Sequence, residues 1–465
     1  MLRHYQTAAI TAIRHAFYAA NKKRVLLHMA TGAGKTVIFC YIIKALSEKG
    51  VPVMMVVKGR QLVDQASRRL EREGVDHGVR MAGHKRWRPE LPVQVCSIDT
   101  LRSQRSAPKA TVIIIDEAHQ ATTASYTALL AQYPDALRLA VTATPYNEGM
   151  HEHADMVVKP ISLKGLISEG FLVPPKYYAP FVPNLKGVKI QGDDYNQKQL
   201  AAATDTDELV ANIVETWRLK GENRPTICFC VRIAHSQHVA ARFNSQGIPA
   251  KHLDADSTDG ERRQGIEDLE SGRLKVITNV GLFGTGVDIP FLSCIIDARA
   301  TQSYNRYVQT LGRGTRPAPG KDNFLILDHA GNVYRHGFIE NEPEAFLQVT
   351  KAKGKSTPGV RTCMVCYAVF LPGGKCPNGC AGAIAEDIDE REGVLKEIVS
   401  LPPEQLELLR LRRIKREKGY KEGWVYHKMV DRFGADITAT VMPKREVPAW
   451  KRAEILEKQL REKGL

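Results

Sequence analysis

The sequence predicts an α/β fold: two parallel-sheet domains in tandem, then a small cysteine-rich module and a basic helical tail. Three observations carry this expectation. Over about residues 1–350, apolar runs of strand length alternate with segments of helical spacing, the pattern of parallel sheets covered by helices on both faces. Polar clusters follow directly on those runs, where ligands sit in such sheets. Two close cysteine pairs come next, and a Lys/Arg-rich stretch after them. The expected divisions are residues 1–160, 161–350, 359–384 and 395–465, and 465 residues suit about three domains.

The first stretch with chemistry is VLLHMATGAGKT, residues 25–36. Val25–Leu27 reads as a buried strand, Thr31, Gly32, Ala33 and Gly34 as a turn, and VIFCYIIKAL after Thr36 as a helix. Strand, glycine turn and helix start form a phosphate cradle, because backbone N–H groups at the turn and helix N-terminus face one anion. Lys35 then reaches the β- and γ-phosphates of ATP, and the Thr36 hydroxyl holds Mg²⁺. Met29 stands where the pattern's first glycine falls.

Upstream, Leu2-Arg3-His4-Tyr5-Gln6 precedes a helix with Ala9, Ile10, Ile13 and Phe17 on one face. A Gln here is able to offer its amide to the N6/N7 edge of adenine. Downstream, Val51–Val57 is a strand candidate followed by a helix over Gln61–Glu73, and Val93–Ser97 is another strand. Val112–Ile115 leads into Asp116-Glu117-Ala118-His119, and Leu137–Val141 into Thr142-Ala143-Thr144-Pro145. A carboxylate ending a buried strand is costly without a cation. Asp116 is therefore assigned to Mg²⁺ and Glu117 to polarising the attacking water. His119 sits beside them, placed to sense the γ-phosphate or to pass the change to the next motif.

From about Ile161 the texture changes, and LKGLISEGFLVPPKYYAP reads as a connection into a second domain. Residues 186–207 are polar and read as a long loop or a mobile helix. Alternation resumes with strands over Thr226–Val231, Lys275–Asn279 and Ser293–Ile296 and helices over Ala234–Asn244 and Tyr304–Arg316. No phosphate loop occurs in this half, so it is not a second ATPase.

MATGAGKT, DEAH and TATP, in this order and spacing, resemble the first motor domain of superfamily 2 helicases and translocases. LRHYQ is similar to that superfamily's adenine-reading motif, which implies nucleotide contacts for Arg3 and Gln6. KGRQLVDQ and SIDTL lie where its nucleic-acid-contacting motifs Ia and Ib lie. The second half resembles the second RecA-like domain of the same motors. Gln309-x-x-Gly312-Arg313-x-x-Arg316 matches motif VI, and Gly286-x-Asp288-x-Pro290 matches motif V. The resemblance implies an arginine finger at Arg313 and Arg316, Arg316 the better match, with Gln309 in the same catalytic motif. It also implies that Asp288 touches the ribose and that Gly286 lies in the same nucleotide contact.

The second cysteine group is Cys363-x₂-Cys366 and Cys376-x₃-Cys380. Four soft ligands in two close pairs suit tetrahedral Zn²⁺, and metal binding supplies folding energy that so small a module lacks. Both a nucleic-acid contact and a structural prop fit such a module. The other five cysteines, Cys40, Cys96, Cys228, Cys230 and Cys294, lie in apolar surroundings and read as reduced core residues. In the tail, Arg410, Arg412, Arg413, Lys415, Arg416 and Lys418 cluster, and Trp424, Tyr426 and Phe433 follow among basic residues. Stacking on single-stranded nucleic acid and the core of a small helical hairpin are equal readings of those aromatics. The order of two motor domains, cysteine module and tail resembles phage-encoded helicases and bacterial RadD-like repair ATPases.

The formal net charge is +15, which favours a polyanionic partner, nucleic acid ahead of an anionic membrane. Apolar residues make up 43% of the chain, yet no run approaches the ~20 residues of a membrane span. Charged residues interrupt MLRHYQTAAITAIRHAF before a signal-peptide core forms, so the expected location is the cytoplasm. The expected function is an ATP-dependent DNA helicase or translocase of recombination, repair or replication, with DNA ahead of RNA as polymer and a replication or repair protein as a further partner. An RNA helicase, an ATP-switched binding or annealing protein, and a restriction-type motor subunit are the alternatives.

Overall fold

The computed structural model describes residues 2–103, 108–121, 123–146, 149–150, 154–179, 182–283, 288–343, 360–363, 366–371, 376–380, 411 and 422–433. The chain divides into two units, residues 1–387 and 388–465.

The first unit opens with α1 (His4–Arg14), β1 (Arg24–His28), α2 (Lys35–Ser47), β2 (Val53–Val57) and α3 (Arg60–Arg72). β3 (Gly78–Arg80), β4 (Val93–Ser97), α4 (Ile98–Ser103), β5 (Val112–Asp116), α5 (Ala124–Ala131), β6 (Leu137–Thr142) and β7 (Met156–Val158) follow. Seven parallel strands form a sheet in the order β3-β4-β2-β5-β6-β1-β7. β2 and β4 are buried at every position, because helices cover both faces and every side chain must leave water. Crossovers bring β5, β6 and β1 side by side. Segments far apart in sequence, each following one of these strands, thus meet at the sheet's carboxyl edge.

α6 (Leu163–Ser168) carries the chain across to β8 (Pro175–Tyr178). Next come β9 (Ile190–Gln191), β10 (Asp194–Tyr195), α7 (Gln197–Thr204), α8 (Asp207–Lys220), β11 (Thr226–Phe229), α9 (Ile233–Ser245), β12 (Ala250–Leu253) and α10 (Asp259–Glu270). β13 (Val276–Asn279), β14 (Cys294–Asp297), α11 (Tyr304–Leu311), β15 (Phe324–Asp328) and α12 (Asn332–His336) complete the second sheet domain. Its six parallel strands run β12-β13-β11-β14-β15-β8. One apolar cluster joins the two sheet domains through Leu163, Leu166, Leu172 and Val173.

β16 (Arg361–Thr362) and β17 (Val369–Phe370) form an antiparallel pair beside the second sheet. A bridge between Tyr178 and Ala368 and a hydrogen bond from Ala179 N to Tyr367 O (3.1 Å) tie this pair to the edge strand β8. Cys363, Cys366 and Ala368 join the apolar cluster on that face of the sheet. The module is therefore built into the second domain's surface.

In the second unit, α13 (Glu422–Phe433) buries Val425 and Met429 with Leu411, and Trp424 and Tyr426 pack partly against them. That arrangement favours the packing reading for these two aromatics. The cluster Arg410–Lys418, apart from Leu411, lies outside the described residues, as do Gly286 and the basic stretch Lys351–Pro358, expected to link the second sheet domain to the cysteine module. None of the helices among the described residues is long and apolar enough to cross a membrane.

Two expectations are corrected. Residues 186–207 contain the β9–β10 hairpin and α7, capped by the Asn196 side chain, which accepts from Lys198 N and Gln199 N. Only Asp194, Tyr195, Leu200, Ala201 and Thr204 turn inward, too short an apolar pattern to read from sequence. The helix expected over Tyr304–Arg316 ends at Leu311, where Gly312 caps it. β3, β7, β8, β12 and β15 also escaped sequence reading. The first four flank their sheets and are short, and β8 starts on a proline, a residue tolerated at a strand's first position, whereas β15 is central and fully buried.

Candidate nucleotide site and metal centre

The phosphate cradle follows β1. Gly34 caps α2 with φ 83°, and Gly32 has φ 82°, left-handed conformations that a side chain would strain. A Cβ on Gly34 would also come within 2.5 Å of the Gln6 amide nitrogen. The loop is held from α1: Tyr5 donates its hydroxyl to Ala33 O (3.1 Å), and Gln6 Nε2 lies 3.5 Å from the same oxygen. Gln6 Oε1 accepts from Arg3 N (2.9 Å), closing the helix cap. Arg3 donates to the Tyr5 hydroxyl (3.0 Å) and lies 4.8 Å from the centre of the Phe171 ring. Thr36 is exposed at the start of α2. Lys35 donates to Met29 O (3.2 Å) and Ala30 O (3.3 Å). Burial lowers its pKa, against the pull of Glu117 and Asp116.

Asp116 ends β5, one strand from β6 and two from β1. Burial first, and the Glu117 charge second, raise its carboxyl from 3.8 to about 7, although Lys35 opposes the shift. Its Oδ1 accepts from Glu117 N at 2.9 Å. Glu117 itself is left-handed, φ 50°, an uncommon conformation for a residue with a side chain. His119 follows on a single turn, with Nδ1 3.4 Å from Glu117 Oε2 and 3.2 Å from Thr142 Oγ1. Burial lowers the His119 pKa.

The second domain completes the site. Gln309, on α11, places Nε2 3.1 Å from His119 Nε2 and 3.1 Å from Thr144 Oγ1. Thr144 N in turn donates to Thr142 Oγ1 (3.0 Å). Gly312 packs so closely on the cradle that a Cβ there would stand 3.0 Å from Thr31 Cβ. A Cβ on Gly32 would stand 3.2 Å from Arg316 Cγ. Arg316 Nη1 donates to Asp288 Oδ1 at 2.6 Å. Arg313 is 8% exposed, and burial, with repulsion from Arg316, lowers its pKa to about 10.

The sequence-predicted groups thus converge: Lys35, Asp116, Glu117 and His119 from the first domain face Gln309, Arg313 and Arg316 from the second. Thr142 and Thr144, which link His119 to Gln309, were visible only as part of TATP, with no residue-level role.

The four sulfurs of Cys363, Cys366, Cys376 and Cys380 lie within 4.8 Å of one another. Zn–S bonds of about 2.3 Å set tetrahedral sulfur spacings near 3.8 Å, so this cluster suits a metal ion of that kind. Asn378 Nδ2 donates to Cys366 Sγ (3.3 Å), the sort of outer contact that orients a thiolate ligand.

The family described as the type III restriction enzyme res subunit matches residues 1–147, and the helicase conserved C-terminal domain matches residues 206–318. A 51.5 kDa protein of a Lactococcus phage (isolate 7-9) is 26% identical over 408 residues, 86% of this chain and 87% of its own length. The putative ATP-dependent helicase IRC3 of Saccharomyces cerevisiae is 28% identical over 356 residues, 71% of this chain. This chain spans about half of that yeast protein, 52%. A fragment of a putative HsdR subunit of a type I restriction enzyme from Vibrio vulnificus YJ016 shares the fold, with TM-score 0.58 and 21% identity over 74% of this chain and 67% of that one. The chain carries a superfamily 2 helicase-like ATPase module, the ATP-hydrolysing engine of motors that act on nucleic acid, and resembles phage, bacterial and eukaryotic helicases and restriction-enzyme subunits.

Proposed function

We propose that this enzyme is an ATP-dependent DNA helicase or translocase that works inside the cell in recombination, repair or replication. The observation that carries the proposal is the reach of Gln309 from the second sheet domain to His119 and Thr144 of the first. It links the ends of two sheets at the cradle, the arrangement a cleft needs if nucleotide is to open and close it.

Lys35 binds the β- and γ-phosphates, while Arg3 and Gln6 hold the adenine and Asp288 the ribose. The Gln6 amide must exchange its contacts with Arg3 N and Ala33 O to do so. Gly286, the remaining nucleotide contact, lies outside the described residues. Thr36 and Asp116 would hold Mg²⁺, which when bound offsets phosphate charge. A carboxyl raised to about 7 by burial and a neighbouring carboxylate is a group that a nearby cation returns to its ionised form. Glu117 polarises the water that attacks the γ-phosphorus, and the left-handed backbone at Glu117 aims the side chain. Arg313 and Arg316 stabilise charge on the transferring phosphoryl oxygens. His119 and Gln309 report the outcome across the cleft. The four clustered cysteines would hold Zn²⁺ and brace the second domain.

The restriction-enzyme and helicase families matched by the chain, with its net charge of +15, support a DNA polymer. A strand-displacement assay tests the reading. Labelled DNA forks are expected to be opened, or a triplex displaced along duplex, in an ATP-dependent manner. Activity on RNA duplexes alone would replace DNA with RNA. ATP-dependent binding with neither displacement nor translocation would replace the motor with an annealing or binding protein.

A further inference from the structure

A cavity of about 270 Å³ opens at the carboxyl ends of β11 and β14. It lies below the ~300 Å³ at which drug-sized sites begin, so it takes a small group and not a whole nucleotide. Two guanidinium groups, Arg299 and Arg306, line it, with the buried Thr301 and Asp297 at its wall.

The two cations differ in how they are held. Arg306 Nη1 donates to Asp194 Oδ2, and Asp194 also accepts from Thr301 Oγ1 (2.8 Å) and Gln302 N (2.8 Å). Asp194 is 6% exposed and comes from the β9–β10 hairpin. It therefore fixes Arg306 while spending its own charge on it. Arg299 is half-buried and its Nε has no hydrogen-bond partner among the described residues, a cost that an anion bound in the fork would remove. Burial and the Arg306 charge both lower the Arg299 pKa. Asp297, the other acid at the wall, accepts from Asn332 Nδ2 (2.8 Å) and lies near Arg299. Burial and Asp328 raise its carboxyl to about 7. Two guanidinium groups thus face the cavity against the single paired carboxylate of Asp194 and the partly protonated Asp297, and Gln309, one helical turn after Arg306, lines it too.

We propose that Arg299 and Arg306, set by Asp194, form a subsite for one phosphate group, a phosphodiester of the bound strand, and that the β9–β10 hairpin exists in part to hold it. The proposal rests on the nucleic-acid motor reading. Planar guanidinium forks suit phosphate oxygens, and phosphate contacts set the register of a bound strand without reading its sequence. Because Gln309 borders both this cavity and the His119 network, strand occupancy is coupled by contact to the nucleotide site.

Fluorescence anisotropy of the full chain with a labelled single-stranded oligodeoxynucleotide, at several salt concentrations, tests this. Arg299→Ala is expected to weaken binding about tenfold and to lower the slope of log K against log salt by about 0.7. Arg299→Lys keeps the slope and recovers part of the affinity. Arg299→Gln gives the same reading as alanine should the alanine variant fail to fold. Lys49→Ala, an exposed cation beyond α2, controls for general loss of charge and is expected to change neither quantity. Wild-type affinity and slope in Arg299→Ala would overturn the subsite. So would unchanged strand binding with relief of inhibition by inorganic phosphate, which would assign the cavity to the free anion. A wild-type protein that bound no oligonucleotide, single-stranded DNA or RNA, would take down the motor reading and this subsite together, whereas a strand-binding wild type with an indifferent Arg299→Ala removes the subsite alone.

Discussion

Asp116 shows how one carboxyl can be poised by its surroundings. Its pKa rises from 3.8 to about 7 through burial and the Glu117 charge, so between those values the folded chain holds a proton that the unfolded chain has released. Stability therefore falls as pH rises through that window, and Asp297, also raised to about 7, acts with the same sign. Because the buried His28, His235, His329 and His336, lowered to about 3 or 4, act with the opposite sign, the Asp116 contribution is read as the difference in unfolding free energy between nucleotide-free wild type and Asp116→Asn. That difference is expected to fall from about pH 4 to about pH 7 by up to a few kcal/mol, and a difference independent of pH would contradict the burial argument. Gly34 is constrained twice, by φ 83° and by the Gln6 amide 2.5 Å from any Cβ. Gly34→Ala is expected to destabilise the fold by about 1–3 kcal/mol, read as a lower melting temperature, and to loosen the Gln6 contact. Lys35, Asp116 and Glu117 were legible because cradle and acidic pair each sit beside an apolar run. Gly312 against Thr31 and Asp194 beneath Arg306 were not, since each contact joins residues more than 100 positions apart and neither has a local pattern.

Among the elements, α11 and the cysteine module carry the sharpest consequences. Gln309 sits near the end of α11, and its contacts with His119 and Thr144 are the hydrogen bonds that a moving cleft would make and break. Gln309→Ala is expected to lower kcat about ten- to hundredfold with little change in KM for ATP, measured by steady-state turnover. A rise in KM at unchanged kcat would instead place Gln309 in nucleotide binding. The module of β16 and β17 rests on edge strand β8 through Tyr178, Ala179 and Ala368. Stripping metal with a chelator should therefore lower the melting temperature of the motor itself, by roughly 5–20 °C, and restoring Zn²⁺ should reverse it. A motor indifferent to the chelator would make the module an independent appendage. Central strands such as β1, β2, β4 and β5 were legible because burial on both faces makes them continuous apolar runs, yet β15, just as buried, went unread. The flanking strands β3, β7, β8 and β12 have fewer covered positions and mixed residues, so their sequences resemble loops.

At the scale of the molecule, the first sheet's carboxyl edge carries the cradle and the end of α11 from the second domain meets it, and the first half of that layout follows from strand order. β5, β6 and β1 are neighbours, so the acidic pair, the Thr142–Thr144 turn and the phosphate loop arrive together before any second domain is considered. The tandem plan was readable from the alternation and from motifs in a fixed order. The contact across the cleft was not, because it depends on how α6 and Leu172 seat one domain on the other. An excess of 15 positive charges also implies that strand affinity falls steeply with salt.

The central claim is that the cradle, the acidic pair and the arginines form one engine driven by nucleic acid. Steady-state ATP turnover in the presence of single-stranded DNA, duplex, fork or RNA, beside a Lys35→Ala control, tests it most directly. The account predicts turnover raised several-fold by DNA in the wild type and absent from Lys35→Ala under every condition. Full strand-stimulated turnover in Lys35→Ala, or wild-type turnover indifferent to every nucleic acid, would contradict it.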